Sequence, residues 1–317
     1  MNNICKTAMS LLAFSVMFVS CGRTVVVKYD AAVKDYTPVV RGILETAPKG
    51  NVTLRFEKGV YDFYPEQAAE EFLTLSNNCS GERRVAFLLK NMKNVRISGD
   101  ETAFMFHGGI VPFAAKNSDD VEISGVSIDY DYPWTFEGEV LSADPVRRSF
   151  VVRVFPDNKY RIEGDRLFFG GYDWEYPMGE SIVFDPSTRR PYYDTAAYDH
   201  GYWSGEMGAR EIEPGIVEFT RLSARDVPPV GSIWDDKGPM RLNRSYPGIA
   251  LLSSKDIKVK DVHVYRSGAM ALIAEYCENV TVSGFSTAQR PGSPRMITAS
   301  ADATHFVDCK GLVLLEN

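Results

Sequence analysis

The residues best suited to chemistry lie near the end of the chain, in the polar stretch 299–306. An acid and a histidine, Asp302 and His305, stand there three positions apart among small side chains. A carboxylate beside an imidazole can transfer protons or hold a polar ligand. Two structural alternatives remain open: Asp302 caps its own loop through a backbone hydrogen bond, and His305 serves in packing.

A short unit recurs along the chain and predicts the scaffold that presents this loop. Residues 91–99 and 117–125 superpose position by position, and three further copies occupy 253–261, 276–284 and 308–316. Each copy places a turn residue such as Asn, Asp or Gly ahead of apolar side chains two positions apart. That spacing puts the apolar side chains on one face of a short strand.

The intervals between the copies predict stacked coils. The turn residues Asn94 and Asp120 lie 26 positions apart, Asp256 and Asn279 lie 23 apart, and Asn279 and Gly311 lie 32 apart. Such intervals are typical of a parallel β-helix, in which every strand packs on the coils above and below it. We therefore predict an all-β chain built as a right-handed parallel β-helix. The alternative, an antiparallel sandwich, does not require the same signature at each coil.

One segment closes this repeat and another interrupts it. Helical spacing from Tyr36 to Thr46 predicts an N-terminal capping helix, since the open end of a solenoid needs a cover. Between Asp120 and Asp256 the unit disappears, and hairpin-like patterns predict a β-rich insertion. The predicted boundaries are residues 30–133 for the first coils, 134–245 for the insertion and 246–317 for the continuing β-helix.

The first 21 residues have the pattern of an export signal. A short charged start leads into an apolar run, Met9–Val19, and then into small residues around Cys21. The run is too short to span a bilayer comfortably, and Phe18–Cys21 resembles a bacterial lipobox. We predict a lipoprotein signal peptide over residues 1–21 and a protein exported and lipid-anchored through Cys21 to a bacterial membrane, at the cell surface or in the periplasm. A plain signal peptide cut nearby is the alternative.

Composition and motif content exclude several classes of partner. The chain carries 35 basic and 42 acidic residues, a net charge of -7 without long blocks, which disfavours a nucleic-acid partner. The cysteines from Cys21 onward predict no disulfide framework. The sequence contains no HxxxH, CxxC or glycine-rich phosphate loop, so we expect neither a metal nor a nucleotide cofactor.

Several stretches resemble the α-1,3-galactosidases of glycoside hydrolase family 110. The most specific is Ala301–Phe306 with Cys309–Gly311 behind it, and the others are Phe106–Gly108, Pro112-Phe113 and Ile128–Asp131. The resemblance covers most of the chain that follows the signal. It implies a β-helix interrupted by a β-rich insertion, and the removal of terminal α-1,3-linked galactose with inversion. The expected partner is therefore a glycan with terminal α-galactose.

Inverting hydrolysis needs two carboxyl groups roughly 6.5 to 9.5 Å apart, one to protonate the leaving oxygen and one to activate water. Groups on neighbouring coils, about 4.8 Å apart in backbone, can span that gap. Asp302 is the predicted catalytic carboxylate, and His305 is predicted to hold it or a sugar hydroxyl.

Four further residues are predicted to bind the substrate. Asp129 and Asp131 match the family's run where the chain leaves the β-helix, and Glu137 stands where relatives often have Gln. Arg295 precedes the Asp302 loop and could bond galactose hydroxyls. A solvated turn for Glu137 and an ion pair for Arg295 are the structural alternatives.

The chain also departs from the family pattern. Relatives carry an adjacent Asp-Asp pair on the coil that should follow Glu316, and residues 1–317 do not include it. We therefore expect residues 1–317 alone to be inactive or barely active and the full-length protein to hydrolyse α-galactosides. Two other functions stay open: a polysaccharide lyase on the same scaffold, and a surface β-helix that binds glycans without turnover.

Overall fold

A computed structural model describes residues 16–19, 22–47, 49–200 and 207–316 of the protein. Within these ranges the chain is mostly β-strand, in two largely parallel sheets and two antiparallel ones. The predicted predominance of β-strands with parallel pairing is confirmed. None of the helices in the described ranges is both long and apolar enough to cross a bilayer.

Twenty-seven strands are described, in three groups along the chain. The first group is β1 (Val16–Val19), β2 (Gly22–Val27), β3 (Gly50–Phe56), β4 (Gly59–Phe63), β5 (Ala69–Leu73), β6 (Gly81–Lys90), β7 (Lys93–Phe106), β8 (Ile110–Lys116) and β9 (Asp119–Tyr130). The second is β10 (Phe136–Asp144), β11 (Ser149–Val154), β12 (Lys159–Glu163), β13 (Arg166–Gly170), β14 (Glu175–Pro177), β15 (Ser181–Asp185), β16 (Arg190–Pro191), β17 (Gly208–Glu213), β18 (Ile216–Thr220) and β19 (Ile233–Asp236). The third is β20 (Ile249–Leu252), β21 (Lys255–Lys260), β22 (His263–Val264), β23 (Leu272–Glu275), β24 (Glu278–Ser283), β25 (Ser286–Thr287), β26 (Thr304–Val307) and β27 (Lys310–Glu316).

In the described residues the α-helix α1 (Thr37–Glu45) lies within the range predicted for the cap, and short 3-10 helices span Pro65–Gln67 and Thr195–Tyr198. The α1 residues Val40, Ile43 and Leu44 are buried, because positions three and four apart share a helix face. That face lies against β6. The apolar side of α1 therefore covers part of the core that the parallel strands build.

Strands from the beginning and the end of the chain contribute to both parallel sheets. One runs in the order β2-β3-β7-β9-β21-β24-β27, and the other contains the parallel strands β6, β8, β20, β23 and β26. From β6 onward the chain passes back and forth between the sheets: β6, β8, β20, β23 and β26 of one sheet are each followed along the chain by β7, β9, β21, β24 and β27 of the other. The register keeps like positions together, as in the row Val95, Val121, Ile257 and Val280, all of which are buried. Apolar side chains two apart thus form continuous inward rows.

The repeated turn residues adopt the left-handed backbone conformation. Asn94, Asp120, Asp256, Asn279 and Gly311 have φ between 51° and 70°, a region in which Asn, Asp and Gly are several-fold enriched. Their side chains also connect the coils, since the Asn279 amide donates to the Asp256 carboxylate over 2.8 Å. The turn signature in the sequence therefore marks a backbone requirement of every coil.

The strands between Phe136 and Asp236 lie outside both parallel sheets. They form a seven-stranded antiparallel sheet, in the order β16-β15-β19-β10-β11-β18-β17, and a three-stranded sheet, β12-β13-β14. The buried rings of the seven-stranded sheet include Phe219 and Trp234, whose centroids lie 4.9 Å apart. The parallel stack continues past it, because β9 pairs directly with β21 and β8 with β20.

Candidate active site

The Asp302 loop connects β25 to β26 and is fixed to the parallel stack through its backbone. The Ala271 amide donates to the Asp302 carbonyl over 3.1 Å, and the Leu272 amide donates to the Ala303 carbonyl over 3.1 Å. Immediately afterwards β26 pairs with β23, with His305 opposite Ile273. The backbone on both sides of the acid is thus held by the coil before it.

The Asp302 side chain faces solvent beside His305. One carboxylate oxygen, Oδ2, lies 3.2 Å from His305 Nδ1, and the exposed fractions of the two side chains are 59% and 27%. Residues three apart at a strand entry can meet in this way because the chain turns between them. The pair therefore presents a carboxylate, oriented by an imidazole, on a firmly held backbone.

Two other predicted residues, Glu137 and Arg295, lie inside the protein. Their side chains are 0% and 1% exposed, and Arg295 Nε lies 3.4 Å from Glu137 Oε1. Glu137 Oε2 accepts a hydrogen bond from the Met296 amide over 2.7 Å, and Oε1 accepts one from the Ile297 amide over 3.2 Å. Burial raises the pKa of Glu137, although Arg295 and these two amides favour its charged form.

The carboxyl group opposite Glu137 is also buried. Asp235 is the cross-strand partner of Glu137 in the β10–β19 pair, so the two side chains share one face of the sheet. Burial, together with the nearby Glu137 charge, raises the pKa of Asp235 well above its ordinary value. Two acids and one arginine therefore share this site inside the antiparallel sheet.

An ion-pair network links Arg295 to Asp129. Asp157 bridges two guanidinium groups, accepting from Arg295 over 3.0 Å and from Arg266 over 2.7 Å. Asp129 in turn accepts from Arg290 over 2.7 Å and lies 3.8 Å from Arg266. The structure thus brings Asp129, Glu137 and Arg295 into one network at the junction of stack and insertion.

Asp131 belongs to a neighbouring cluster around His107. His107 Nδ1 lies 3.0 Å from Asp131 Oδ2, His107 Nε2 lies 2.9 Å from Asp62 Oδ1, and the ring stacks on Tyr64 with centroids 4.1 Å apart. Burial disfavours the charged ring, but the hydrogen bonds to Asp131 and Asp62 outweigh it and raise the pKa of His107.

A loop of the insertion meets this cluster at a glycine turn. Asp173 accepts a hydrogen bond from the Gly109 amide over 2.6 Å. Gly108 has a φ of +73°, and a Cβ there would stand 2.3 Å from Asp173 Oδ1, so both the backbone and this hydrogen bond favour glycine. Asp173 also lines a cleft of about 330 Å³ with Lys159, Tyr172 and other residues of the three-stranded sheet.

Asp302 and His305 stand apart from both clusters. Across the described ranges, no hydrogen bond or ion pair joins their side chains to the Arg295 network or to His107. Sequence reasoning did not identify Asp157, Arg266 or Asp235 as part of any site. Asp157 lies in a turn, Asp235 in a strand and Arg266 in the segment after β22, and only the folded chain brings them together. Cys21, the predicted lipidation site, lies outside the described residues.

Comparison with known proteins gives the class of this chain. Residues 136–233 match a family described as GLAA-B β-barrel domain I. The chain is 29% identical over 270 residues to α-1,3-galactosidase A of Shewanella woodyi, covering 84% of this chain and 43% of that protein. It is 30% identical over 291 residues to α-1,3-galactosidase B of Akkermansia muciniphila, covering 89% and 35%. The corresponding enzyme B of Bacteroides fragilis is 30% identical over 293 residues, covering 90% and 48%.

These matches define a homologue of glycoside hydrolases in which antiparallel sheets between Phe136 and Asp236 accompany parallel strands. Within that class, the predicted resemblance to glycoside hydrolase family 110 is confirmed, and the chain is a homologue of its α-1,3-galactosidases. The chain spans between 35% and 48% of the length of the three relatives named above.

Proposed function

We propose that the protein is an exo-acting glycoside hydrolase that removes terminal α-1,3-linked galactose from glycans with inversion of configuration. One observation carries the proposal: a chain homologous to α-1,3-galactosidases holds Asp302 in solvent, on a fixed backbone, beside His305. A solvent-facing carboxylate of this kind can reach a substrate oxygen or a water molecule.

The proposed scaffold is a right-handed parallel β-helix. Support comes from the way the chain passes back and forth between two sheets from β6 onward, and from the register that aligns Val95, Val121 and Ile257. In such a scaffold, loops of adjacent coils emerge side by side. A second carboxylate from a neighbouring coil would then lie within reach of the sugar that Asp302 contacts.

In the proposed mechanism Asp302 supplies one of the two carboxyl groups. As an acid it would give its proton to the glycosidic oxygen; as a base it would take a proton from the attacking water. The water oxygen bonds to the anomeric carbon on the face opposite the leaving group while the bond from that carbon to the protonated glycosidic oxygen breaks, which yields β-galactose. We place the other carboxylate on the Asp-Asp pair that the family resemblance implies, outside residues 1–317.

The remaining predicted residues divide by exposure. Asp131 and His305 keep part of their side chains at the surface, and we propose them as contacts for sugar hydroxyls. Asp129, Glu137 and Arg295 are buried. We propose that these three act on the substrate through the neighbours that they hold rather than by touching it.

The first test is an assay of the full-length protein on α-1,3-galactobiose. We expect free galactose, released first as the β-anomer, and a loss of at least about 100-fold in kcat on Asp302→Asn. Proton NMR of the initial product identifies the anomer. The purified chain of residues 1–317 is expected to release little or no galactose.

Asp308→Asn is the matched control, since it makes the same chemical change six residues away at a turn that Asn also tolerates. Its rate should equal that of the wild type. An Asp302→Asn enzyme that keeps full activity would remove Asp302 from the mechanism. Unsaturated products absorbing in the ultraviolet would indicate a lyase instead, and glycan binding without any product would indicate a lectin-like protein.

We also propose that the protein is exported and carries lipid on Cys21. The support is the sequence pattern of residues 1–21 alone. Labelled palmitate should enter the wild-type protein and not Cys21→Ser. Absence of label from the wild type, in cells that label a known lipoprotein, would contradict the anchor.

A further inference from the structure

The segment between β25 and β26, residues 288–303, carries Asp302 but has little strand pairing of its own. Side chains of the insertion hold its first half instead. The Glu137 carboxylate accepts the Met296 and Ile297 amides over 2.7 and 3.2 Å, and Arg189 donates to the Arg295 carbonyl over 2.6 Å. Side chains of the insertion thus supply the hydrogen bonds that a neighbouring strand supplies elsewhere in the parallel sheets.

Arg295 binds the same segment to the insertion from the other direction. Its guanidinium donates to the Thr135 carbonyl over 2.6 Å and to Asp157 over 3.0 Å, while Nε faces Glu137. Both charged side chains of the Glu137–Arg295 pair are buried. A buried ion pair contributes little net stability compared with apolar packing, but removing one partner leaves an uncompensated charge. The clearest consequence of this ion pair is that it fixes the position of the segment against the insertion.

Four sets of contacts fix the path from Arg295 to Asp302. In one of them the Ser267 amide donates to the Thr298 carbonyl over 2.9 Å and the Ser300 amide donates to the Ser267 carbonyl over 3.2 Å. Glu137 holds the segment at Met296 and Ile297. Ser300 donates to the Asn243 carbonyl over 2.6 Å, and Asn243 follows the last strand of the insertion. The Ala271 amide then holds Asp302 itself. The position of Asp302 therefore depends on the insertion at one end and on the parallel stack at the other.

We propose that Glu137 and Arg295 are positioning residues: together they clamp the 288–303 segment to the insertion and so set where Asp302 stands. The importance of that position rests on the proposed function, but the clamp itself does not. Neither side chain meets a sugar. In this role Glu137 and Arg295 keep Asp302 in position and do not bind the substrate directly.

The clamp can be tested by amide hydrogen exchange followed by mass spectrometry. In Glu137→Ala the Met296 and Ile297 amides lose their acceptor, and we expect exchange in peptides covering 288–303 to accelerate at least tenfold. Peptides from β20 to β24 should keep their wild-type rates. Glu137→Gln, whose amide oxygen can still accept, should restore most of the protection.

Glu139→Ala is the matched control. Glu139 lies on the same strand, two residues further along, and pairs with the exposed Arg153 over 2.9 Å, so 288–303 should exchange as in the wild type. Equal exchange in folded Glu137→Ala and wild type would overturn the proposal. If Glu137→Ala does not fold, Arg295→Lys decides: faster exchange at 288–303 supports the clamp, and unchanged exchange overturns it.

Kinetics of the full-length protein separate positioning from binding. A positioning role predicts that Glu137→Ala lowers kcat at least tenfold with KM within about twofold, and that Glu137→Gln recovers most of kcat. A sugar ligand would instead raise KM. Should the protein release no galactose at all, the exchange measurements still decide the clamp, so the two proposals fail separately.

Discussion

Buried carboxyl groups are concentrated on one strand of the insertion. Asp235 and Asp236 are consecutive residues of β19 and both are fully buried. Asp236 accepts hydrogen bonds from the Gly179 and Gly238 amides over 2.9 and 2.7 Å, which offset part of the cost of its burial. Its environment nevertheless favours the protonated acid, and this makes the stability of the fold depend on pH.

Asp236→Asn is expected to flatten that dependence. Burial raises the pKa of Asp236 from 3.8 to about 7, so between these values the folded state binds more protons than the unfolded state. The free energy of unfolding therefore falls as the pH rises through this window. Relative to Asp236→Asn, the wild type should lose on the order of 2 kcal/mol between pH 5 and pH 8. Guanidinium chloride unfolding at each pH measures the difference.

The Asn variant keeps an oxygen that can accept the Gly179 and Gly238 amides, so the comparison isolates the ionisation. Asp308→Asn, at an exposed position, provides the control and should follow the wild type at every pH. Identical pH profiles for the wild type and Asp236→Asn would show that Asp236 does not retain its proton in the fold.

The His107 cluster gives a second titration with the same sign. Asp131 and Asp62 raise the pKa of His107 despite its burial. The stability that the charged ring contributes is therefore complete below its unfolded pKa and is lost as the pH rises through the folded value. Asp131→Asn should lower the pKa of His107. The chain has four histidines, so NMR titration can follow each ring.

Glu66→Gln controls for a general change of charge near this cluster, because Glu66 accepts from Tyr172 and not from the ring. We expect it to move the His107 titration less than Asp131→Asn does. A His107 titration that is the same in wild type and Asp131→Asn would remove Asp131 as the partner that sets its charge.

At this scale the sequence selected residues that the fold brings together, but it did not predict that they are buried. Asp129, Glu137 and Arg295 were selected from motifs, and they do meet in one network. Their burial could not be predicted, because it depends on contacts between residues more than 130 positions apart. A charged residue in a turn-like sequence is predicted to be exposed to solvent unless the oppositely charged residue that pairs with it is known.

At the level of the elements, the same left-handed backbone positions recur in every copy of the repeat. Each copy of the repeat has a second left-handed position, three residues before the first, held by Asn91, Asn117, Ser253, Tyr276 and Asp308 at φ between 47° and 56°. Four of the five are small polar residues, which compensate for this conformation through local hydrogen bonds. Tyr276 is the exception, and its side chain is mostly exposed.

Tyr276→Asn should therefore stabilise the protein by about 1 kcal/mol, since Asn tolerates the left-handed region better than an aromatic residue does. The exposed fraction of Tyr276 is 62%, so little packing is lost. Tyr276→Ala removes the same ring but keeps a Cβ in the same strained conformation, and it should show no comparable gain. Equal shifts of the denaturation midpoint in both variants would mean that the ring, and not the backbone, limits stability.

The repeat could be found in the sequence because each coil must satisfy the same backbone geometry and the same inward rows. The strand pairing of the insertion could not. There β10 pairs with β19 across almost one hundred residues, no turn signature recurs, and antiparallel partners are chosen by packing of rings such as Trp234. The sequence indicated β-structure in this region but not which strands are neighbours.

For the whole molecule, the parallel stack ends at β27 among the described residues. Val313 and Leu315 occupy the inward rows, paired with the buried Val280 and Val282. Leu315 is nevertheless 56% exposed, because no described strand covers its outer side. An apolar strand with a free hydrogen-bonding edge is a template for pairing with another chain.

A polypeptide cut after residue 317 is expected to self-associate through β27, because the cut leaves that strand at the edge of the stack. Leu315→Lys places a charge on the edge strand and should shift the chain towards monomer, because a desolvated lysine opposes edge pairing. Multi-angle light scattering across a concentration series measures the change. Val146→Lys, an equally drastic substitution at a highly exposed position on the insertion, should leave the association unchanged. If both variants associate like the wild type, contact between copies does not run through β27, and the free edge is protected in some other way.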